Sequence, residues 1–137
     1  MDAFDSGTLM DRLGIEIVSC TREETILTMP VEGNTQIRGV LHGGASATLA
    51  ETAASAAAYC HVMAERDSEG VSRVPVATDL SISFVRPGRG RRVTACARAV
   101  HLGRTRTVHE VRITSDTDQV LAIATVANQL VAERSER

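Results

Sequence analysis

The chain has 137 residues, a mass of 14.6 kDa and a formal net charge of −2 at pH 7. That length suits one domain with one core, and we predict a single domain over residues 1–137 with a charged tail from about residue 132. All 15 basic residues are Arg, which excludes a lysine nucleophile or Schiff base. Near-neutral charge and an aromatic content of 2% argue against a nucleic-acid binder.

The sequence also carries no sign of a membrane or metal protein. No apolar run is long enough to span a bilayer, and the first residues lack the basic and apolar regions of a signal peptide. We therefore expect a cytoplasmic protein. Cys20, Cys60 and Cys96 are scattered and form no CxxC pair, which indicates reduced, buried thiols rather than a disulfide framework or zinc site.

The N-terminal third reads as a short helix followed by two strands. The helix is predicted over residues 6–13, capped by Asp5 or Ser6 and ended by Gly14. From there the apolar residues alternate with a period of two, which predicts strands over residues 15–21 and 23–32.

A long helix and four more strands follow. The helix is predicted over residues 45–64, with a polar break at residues 67–70. The strands are predicted over residues 74–85, 93–101, 105–114 and 120–130. The first of them has one apolar face, formed by Val76, Thr78, Leu80, Ile82 and Phe84. Successive hairpin-linked strands indicate antiparallel pairing and an α+β fold. Because one helix cannot cover both faces of six strands, we expect a second subunit to bury the other face or the sheet edge.

The long helix has an unusual start and one unusual charge. It begins after His42-Gly43-Gly44, and Glu51 is the only acidic or basic residue between His42 and His61. A helix N-terminus offers free N–H groups to a developing negative charge, and glycine allows a ligand to approach closely. A carboxylate nearby provides a base or nucleophile. Ser55 lies four residues after Glu51 and shares its helix face.

These features resemble the hotdog-fold acyl-CoA thioesterases, in the branch that includes the 4-hydroxybenzoyl-CoA and phenylacetate-pathway enzymes. The resemblance extends over residues 13–130 and rests on Gln36, His42-Gly43-Gly44, Glu51, the strand segment 79–84 followed by Arg86-Pro87, and Gly103-Arg104-Thr105. It implies a hotdog fold, in which an antiparallel sheet wraps around one long central helix. It also implies hydrolysis of an acyl-CoA, with CoA as part of the substrate and no separate cofactor or metal.

The resemblance assigns a role to each candidate catalytic residue. Glu51 is the nucleophile or the general base on water, and the Gly43 N–H polarises the thioester carbonyl. Gln36 helps to hold the carbonyl or the attacking group, and His42 contacts the thioester or the leaving thiol. Ser55 lies near the acyl group or the attacking water.

The resemblance also implies contacts to CoA and to a second subunit. Arg86, Arg89, Arg104 and Thr105 fall where the family meets CoA. A homodimer would join two sheets edge to edge through residues 74–85 and double into a tetramer. The active site would then combine the carboxylate of one subunit with the His-Gly-Gly loop of its neighbour.

Each candidate residue also has an ordinary structural interpretation. Glu51 is a surface residue, His42 a helix cap, Gln36 a loop amide, Ser55 a small packed residue, and the arginines a solvated turn. Two other functions stay open. A hotdog dehydratase typically has a His in a Pro-rich loop, which this chain lacks. A non-catalytic acyl-CoA sensor typically lacks the carboxylate and carries a DNA-binding segment.

Overall fold

The computed structural model describes residues 7–69 and 72–133. Within them the chain forms, in order, α1 (Leu9–Leu13), β1 (Glu16–Cys20), β2 (Glu24–Pro30), α2 (Gly43–Glu69), β3 (Arg73–Phe84), β4 (Arg92–Leu102), β5 (Arg106–Ser115) and β6 (Val120–Ala132). The predicted element order is confirmed. No helix in this part of the chain is long and apolar enough to cross a membrane.

Both helices begin at positions that differ from the predicted ones. Thr8 caps α1 by accepting the Asp11 N–H at 3.1 Å, whereas the predicted caps, Asp5 and Ser6, lie outside the described residues. Gly14 ends α1 as predicted, with a φ of 75° that suits glycine. Helix α2 is longer than residues 45–64 because it runs through the predicted polar break to Glu69. Glu and Arg have high helix propensity, so polar residues of this kind need not end a helix.

The six strands form one antiparallel sheet in the order β1-β2-β4-β5-β6-β3. Helix α2 packs across one face of this sheet and contacts every strand. This arrangement confirms the predicted hotdog fold. Strands β1 and β3 form the two edges, so β3 is the last strand on one side and has an unpaired backbone edge.

The helix face against the sheet is built from small side chains. Leu49 and six alanines of this face are at most 7% exposed: Ala45, Ala50, Ala53, Ala54, Ala57 and Ala58. They pack against larger sheet residues such as Leu27, Met29 and Ile113, each fully buried. Because Ala ends at Cβ, the helix axis lies close to the curved sheet. A larger side chain in place of one of these alanines would collide with the filled core.

The opposite sheet face carries charged residues on β1, β2, β4 and β5. Three exposed ion pairs lie on it: Arg92–Glu16 at 3.7 Å and Arg98–Glu24 at 3.2 Å between strands, and Arg112–Glu110 at 3.5 Å along β5. Such a face is compatible with water on its own. The case for a second subunit therefore rests on the β3 edge and not on this face.

Strand β3 contains a bulge at Thr78. The sheet partners of Ala77 and Asp79 are consecutive residues of β6, so Thr78 is left out of the pairing. One extra residue exchanges the two faces of the strand from that point onward. The prediction that Val76 shares a face with Leu80 and the alternate residues after it is therefore wrong.

The three cysteines are free and half-buried rather than fully buried as expected. Cys20 of β1 and Cys60 of α2 lie in contact, with their Sγ atoms 2.7 Å apart. Burial, together with the hydrogen bond to Cys20, raises the pKa of the Cys60 thiol to about 12. At neutral pH this thiol is therefore a poor nucleophile.

The close packing of α2 predicts a position-dependent response to Ala→Leu substitution. Ala53 is fully buried against the sheet, whereas Ala64 on the same helix is exposed. Overpacking a filled core costs roughly 1–3 kcal/mol, so Ala53→Leu should lower the free energy of unfolding by about that amount. Ala64→Leu should change it by about 0.5 kcal/mol or less. Urea unfolding at one protein concentration measures both, and equal values would contradict the packing described.

Candidate active site

The first turn of α2 leaves one backbone N–H without an acceptor. His42 is the cap: its ring Nδ1 accepts the Gly44 N–H at 2.8 Å. Its carbonyl accepts the Ala45 and Ser46 N–H groups at 3.0 and 3.2 Å. Residues 7–69 and 72–133 offer the Gly43 N–H no acceptor. The start of the helix, where the dipole is positive, therefore presents one free donor.

Two aromatic rings explain why the start of α2 contains two glycines. A Cβ atom at Gly44 would lie 3.0 Å from His42 Nδ1, so the capping ring occupies that space. A Cβ atom at Gly43 would lie 3.0 Å from Phe84 Cζ at the end of β3. Gly43 was expected to admit a ligand. The structure adds that an exposed phenyl ring already lies beside its backbone.

The loop before α2 is held at both ends. The Gln36 N–H donates to the Val40 carbonyl and the Gly39 N–H donates to the Gln36 carbonyl, both at 2.9 Å. Gly39 has a φ of 83°, a conformation that favours glycine. The side-chain oxygen of Gln36 accepts the Arg38 N–H. The Gln36 amide nitrogen is therefore the end of the side chain that is left to donate.

The β3–β4 turn packs against this loop and brings an arginine to the helix start. The Leu41 N–H donates to the Gly88 carbonyl at 2.8 Å, and a Cβ atom at Gly88 would lie 2.6 Å from Leu41 Cβ. A cleft of about 410 Å³ is lined by Gly43, Phe84 and Arg86 among others. Arg86 also lines a neighbouring groove with Arg89. Gly43 and these two arginines therefore lie in one region.

Arg104 and Thr105 lie far from that region within one chain. They belong to the turn after β4, and β4 has 11 residues, roughly 33 Å at ~3.3 Å per residue. The preceding residue, Gly103, contacts the C-terminal half of α2 through a 2.7 Å hydrogen bond between its carbonyl and His61 Nε2. A single chain therefore does not unite these residues with Arg86 and Arg89.

Glu51 and Ser55 lie further along α2. Glu51 is exposed, and no hydrogen bond or ion pair reaches its carboxylate from the described part of the chain. Ser55 is half-buried, and its hydroxyl donates to Asn128 Oδ1 at 3.3 Å. Glu51 follows Gly43 by eight residues, which is about 12 Å along the helix axis at ~1.5 Å per residue. That separation exceeds the reach of a Glu side chain.

Two residues near the candidate site were missed in the sequence. The sequence pattern predicts an apolar strand face for Phe84, but nothing in the sequence indicates that it contacts Gly43. Asn128 belongs to the last predicted strand, and an amide that alternates in phase with Val126 and Leu130 is a signal there. It is fully buried on the helix side of β6, opposite Thr107 of β5 and Ala77 of β3.

Comparison with known proteins gives a consistent picture. The family model of the thioesterase superfamily matches residues 38–122. A relative from Deinococcus radiodurans is 43% identical over 107 residues, which cover 78% of this chain and 64% of the length of that relative. The 1,4-dihydroxy-2-naphthoyl-CoA hydrolase of Listeria monocytogenes is 32% identical over 117 residues, covering 85% of this chain and 89% of that enzyme.

A solved structure shows the same fold. The crystal structure of a thioesterase from Haemophilus influenzae superposes with a TM-score of 0.82 at 30% sequence identity. The superposition covers 96% of this chain and 88% of that chain. The β-sheet and long helix described here are therefore shared over almost the whole chain.

The capping geometry predicts a stability effect at His42. His42→Ala removes the acceptor of the Gly44 N–H, and loss of an N-cap side chain costs about 1 kcal/mol. His42→Asn should retain most of the stability, because Asn is a preferred N-cap residue that supplies an oxygen acceptor. Chemical denaturation of both variants measures the difference. If Asn and Ala destabilise the protein equally, the ring does not act as the cap.

Proposed function

We propose, from the premise that this chain belongs to the thioesterase superfamily, that it hydrolyses acyl-CoA thioesters to a free acid and CoA. The observation that carries the proposal is that one helix provides both a free backbone donor and an unpaired carboxylate. Gly43 presents a free N–H, and Glu51 presents a carboxylate without a partner in the described residues. Thioester hydrolysis needs both a donor for the carbonyl oxygen and a base or nucleophile.

A similar protein and two arginines beside the cleft favour CoA as the thiol of the substrate. The similar protein from Listeria monocytogenes is named as a CoA thioester hydrolase. Arg86 and Arg89 lie beside the cleft at Gly43, and guanidinium groups bind phosphates well. We assign these two residues to the CoA phosphates, and Arg104 with Thr105 to the same task from a neighbouring subunit. A cytoplasmic location belongs to this proposal.

The Gly43 N–H would stabilise the charge that develops on the thioester oxygen. It is the first N–H of α2, so it lies at the positive end of the helix dipole. It is also the one amide of the first turn that neither the His42 ring nor the His42 carbonyl has taken. Gln36, whose amide nitrogen is left to donate, would assist on the carbonyl. His42 would contact the leaving sulfur.

Glu51 would act as a general base on water. The Ser55 hydroxyl donates a hydrogen bond to Asn128, so the lone pairs of Ser55 Oγ are left to accept a hydrogen bond from a water molecule. Glu51 shares this helix face and would accept the other proton of the same water. The water oxygen then bonds to the carbonyl carbon, the carbon–sulfur bond breaks, and the proton on Glu51 passes to the CoA thiolate. Direct attack by the carboxylate is the alternative route.

The active site would be shared between two subunits. Gly43 and Glu51 lie about 12 Å apart along one helix at ~1.5 Å per residue, so they cannot both contact one carbonyl group. Edge strand β3 exposes Val76, Leu80 and Phe84 by 47%, 36% and 56%, and such an edge favours pairing with a second copy. We propose a dimer through β3, doubled into a tetramer, in which the glycine of one subunit faces the carboxylate of its partner.

Replacement of Glu51 tests the proposal. A general base contributes roughly 10²–10⁴ in rate, so Glu51→Gln should lower kcat by about that factor. Glu51→Asp should keep partial activity. Glu65→Gln is the control, since Glu65 lies on the same helix but binds Arg22 at 2.8 Å. A panel of acyl-CoAs, followed by release of free thiol, measures all of these.

Two outcomes would contradict the proposal. One is a Glu51→Gln protein that hydrolyses each thioester of the panel as fast as wild type does. The other is a wild-type protein that binds an acyl-CoA but turns over none of them, which would favour the sensor.

A further inference from the structure

Asn128 is a buried amide whose contacts are incomplete. It is fully buried on the helix side of β6. Its Oδ1 accepts the Ser55 hydroxyl at 3.3 Å, yet its Nδ2 has no hydrogen-bond partner within residues 7–69 and 72–133. A buried amide with unused donors destabilises a fold. An apolar residue of similar size would avoid that cost, so the position calls for an explanation other than stability.

The contact with Asn128 gives Ser55 a geometry that Thr48 and Thr52 of the same helix lack. Thr48 donates to the Gly44 carbonyl at 2.8 Å, and Thr52 donates to the Thr48 carbonyl at 2.6 Å. Both follow the usual habit of a helical hydroxyl, which bonds the carbonyl four residues earlier. Ser55 instead donates across to the sheet. The Ser55 hydroxyl therefore hydrogen bonds to Asn128 and not to a carbonyl of its own helix.

We propose that Asn128 is a positioning residue for the hydrolysis reaction and acts through Ser55. This inference rests on the proposed function. Asn128 is too deeply buried to touch a substrate, but its Oδ1 fixes the direction of the Ser55 proton. The lone pairs of Ser55 Oγ then point away from Asn128, on the helix face that also carries Glu51. A water molecule held there would donate one hydrogen bond to Ser55 and the other to Glu51, the group that takes its proton.

The proposal predicts that activity and stability separate at this position. In Asn128→Leu the Ser55 hydroxyl loses its acceptor in the sheet. It then donates to the backbone carbonyl of Glu51, four residues earlier, as Thr48 and Thr52 donate to the carbonyls four residues before them. Its lone pairs then no longer face the water. At the same time the unpaired amide is removed from the core. We therefore expect the melting temperature to hold or rise while kcat falls.

A double-mutant cycle tests whether Asn128 acts through Ser55. With wild-type Ser55, Asn128→Leu should lower kcat about tenfold, a size typical of coupling between contacting residues. KM should stay close to the wild-type value, because the contact affects the reaction rather than binding. In the Ser55→Ala background the same substitution should lower kcat no further. A merely structural role would lower kcat equally in both backgrounds.

Thr107→Val is the matched control. Thr107 lies directly opposite Asn128 in the sheet, is also fully buried, and its Oγ1 has no hydrogen-bond partner in the described chain. Its replacement alters the same buried layer but leaves the Ser55 contact intact, so kcat should stay at the wild-type value. If Asn128→Leu does not fold, Asn128→Ala removes the same acceptor without adding volume and enters the same cycle.

The outcomes separate this inference from the proposed function. If wild type hydrolyses acyl-CoA and the Asn128 substitution has equal effects with and without Ser55, the positioning role is wrong and the function stands. An unchanged kcat in Asn128→Leu leads to the same conclusion. If wild type hydrolyses no thioester, the proposed function fails and this inference fails with it.

Discussion

The close contact between the alanine face of α2 and the sheet is the constraint on which the rest of the structure depends. Six alanines of this face are at most 7% exposed. Side chains that end at Cβ fix the height of the helix above the sheet and leave no room for rotation. The buried face in turn determines which residues point elsewhere. Glu51 lies on the exposed side, and Ser55 lies at the boundary where it meets Asn128.

The same contact shows how a polar group can be placed in an apolar interface. Ser55 and Asn128 form a polar contact at a boundary that Ala, Leu, Val and Ile mainly fill. A partly satisfied buried network costs stability. Proteins accept such costs where function needs a fixed geometry. At the start of α2, by contrast, polar groups are satisfied by the His42 cap, apart from the Gly43 N–H.

The sequence was sufficient for the fold and for part of the site. The change from period two to helical spacing and back identified the elements, because burial on one face imposes those periods. The helix boundaries were less accurate, since the cap at Thr8 and the His42 cap depend on local hydrogen bonds. The bulge at Thr78 was not foreseen, because the extra residue is visible only in the pairing with β6.

The candidate site also has a part that the sequence predicts and a part that only the structure reveals. Gly43 and Glu51 could be selected from the sequence because each interrupts a local pattern, one by its lack of a side chain and the other by its charge. Their separation of about 12 Å also follows from the sequence spacing at ~1.5 Å per residue. The contacts of Gly43 with Phe84 and of Ser55 with Asn128 join residues far apart in the chain. Only the packed sheet and helix bring those residues together.

The most direct test of the account asks whether Gly43 and Glu51 act from different subunits. Gly43→Pro removes the free N–H at a helix position that accepts proline, and Gly43→Ala, which keeps the N–H, controls for contact with Phe84. In a dimer of Gly43→Pro with Glu51→Gln, one of the two sites regains an intact glycine and an intact carboxylate. Co-expression should therefore restore about a quarter of wild-type activity for randomly mixed symmetric dimers. Activity no higher than that of the two inactive parents would show that each site lies within one subunit.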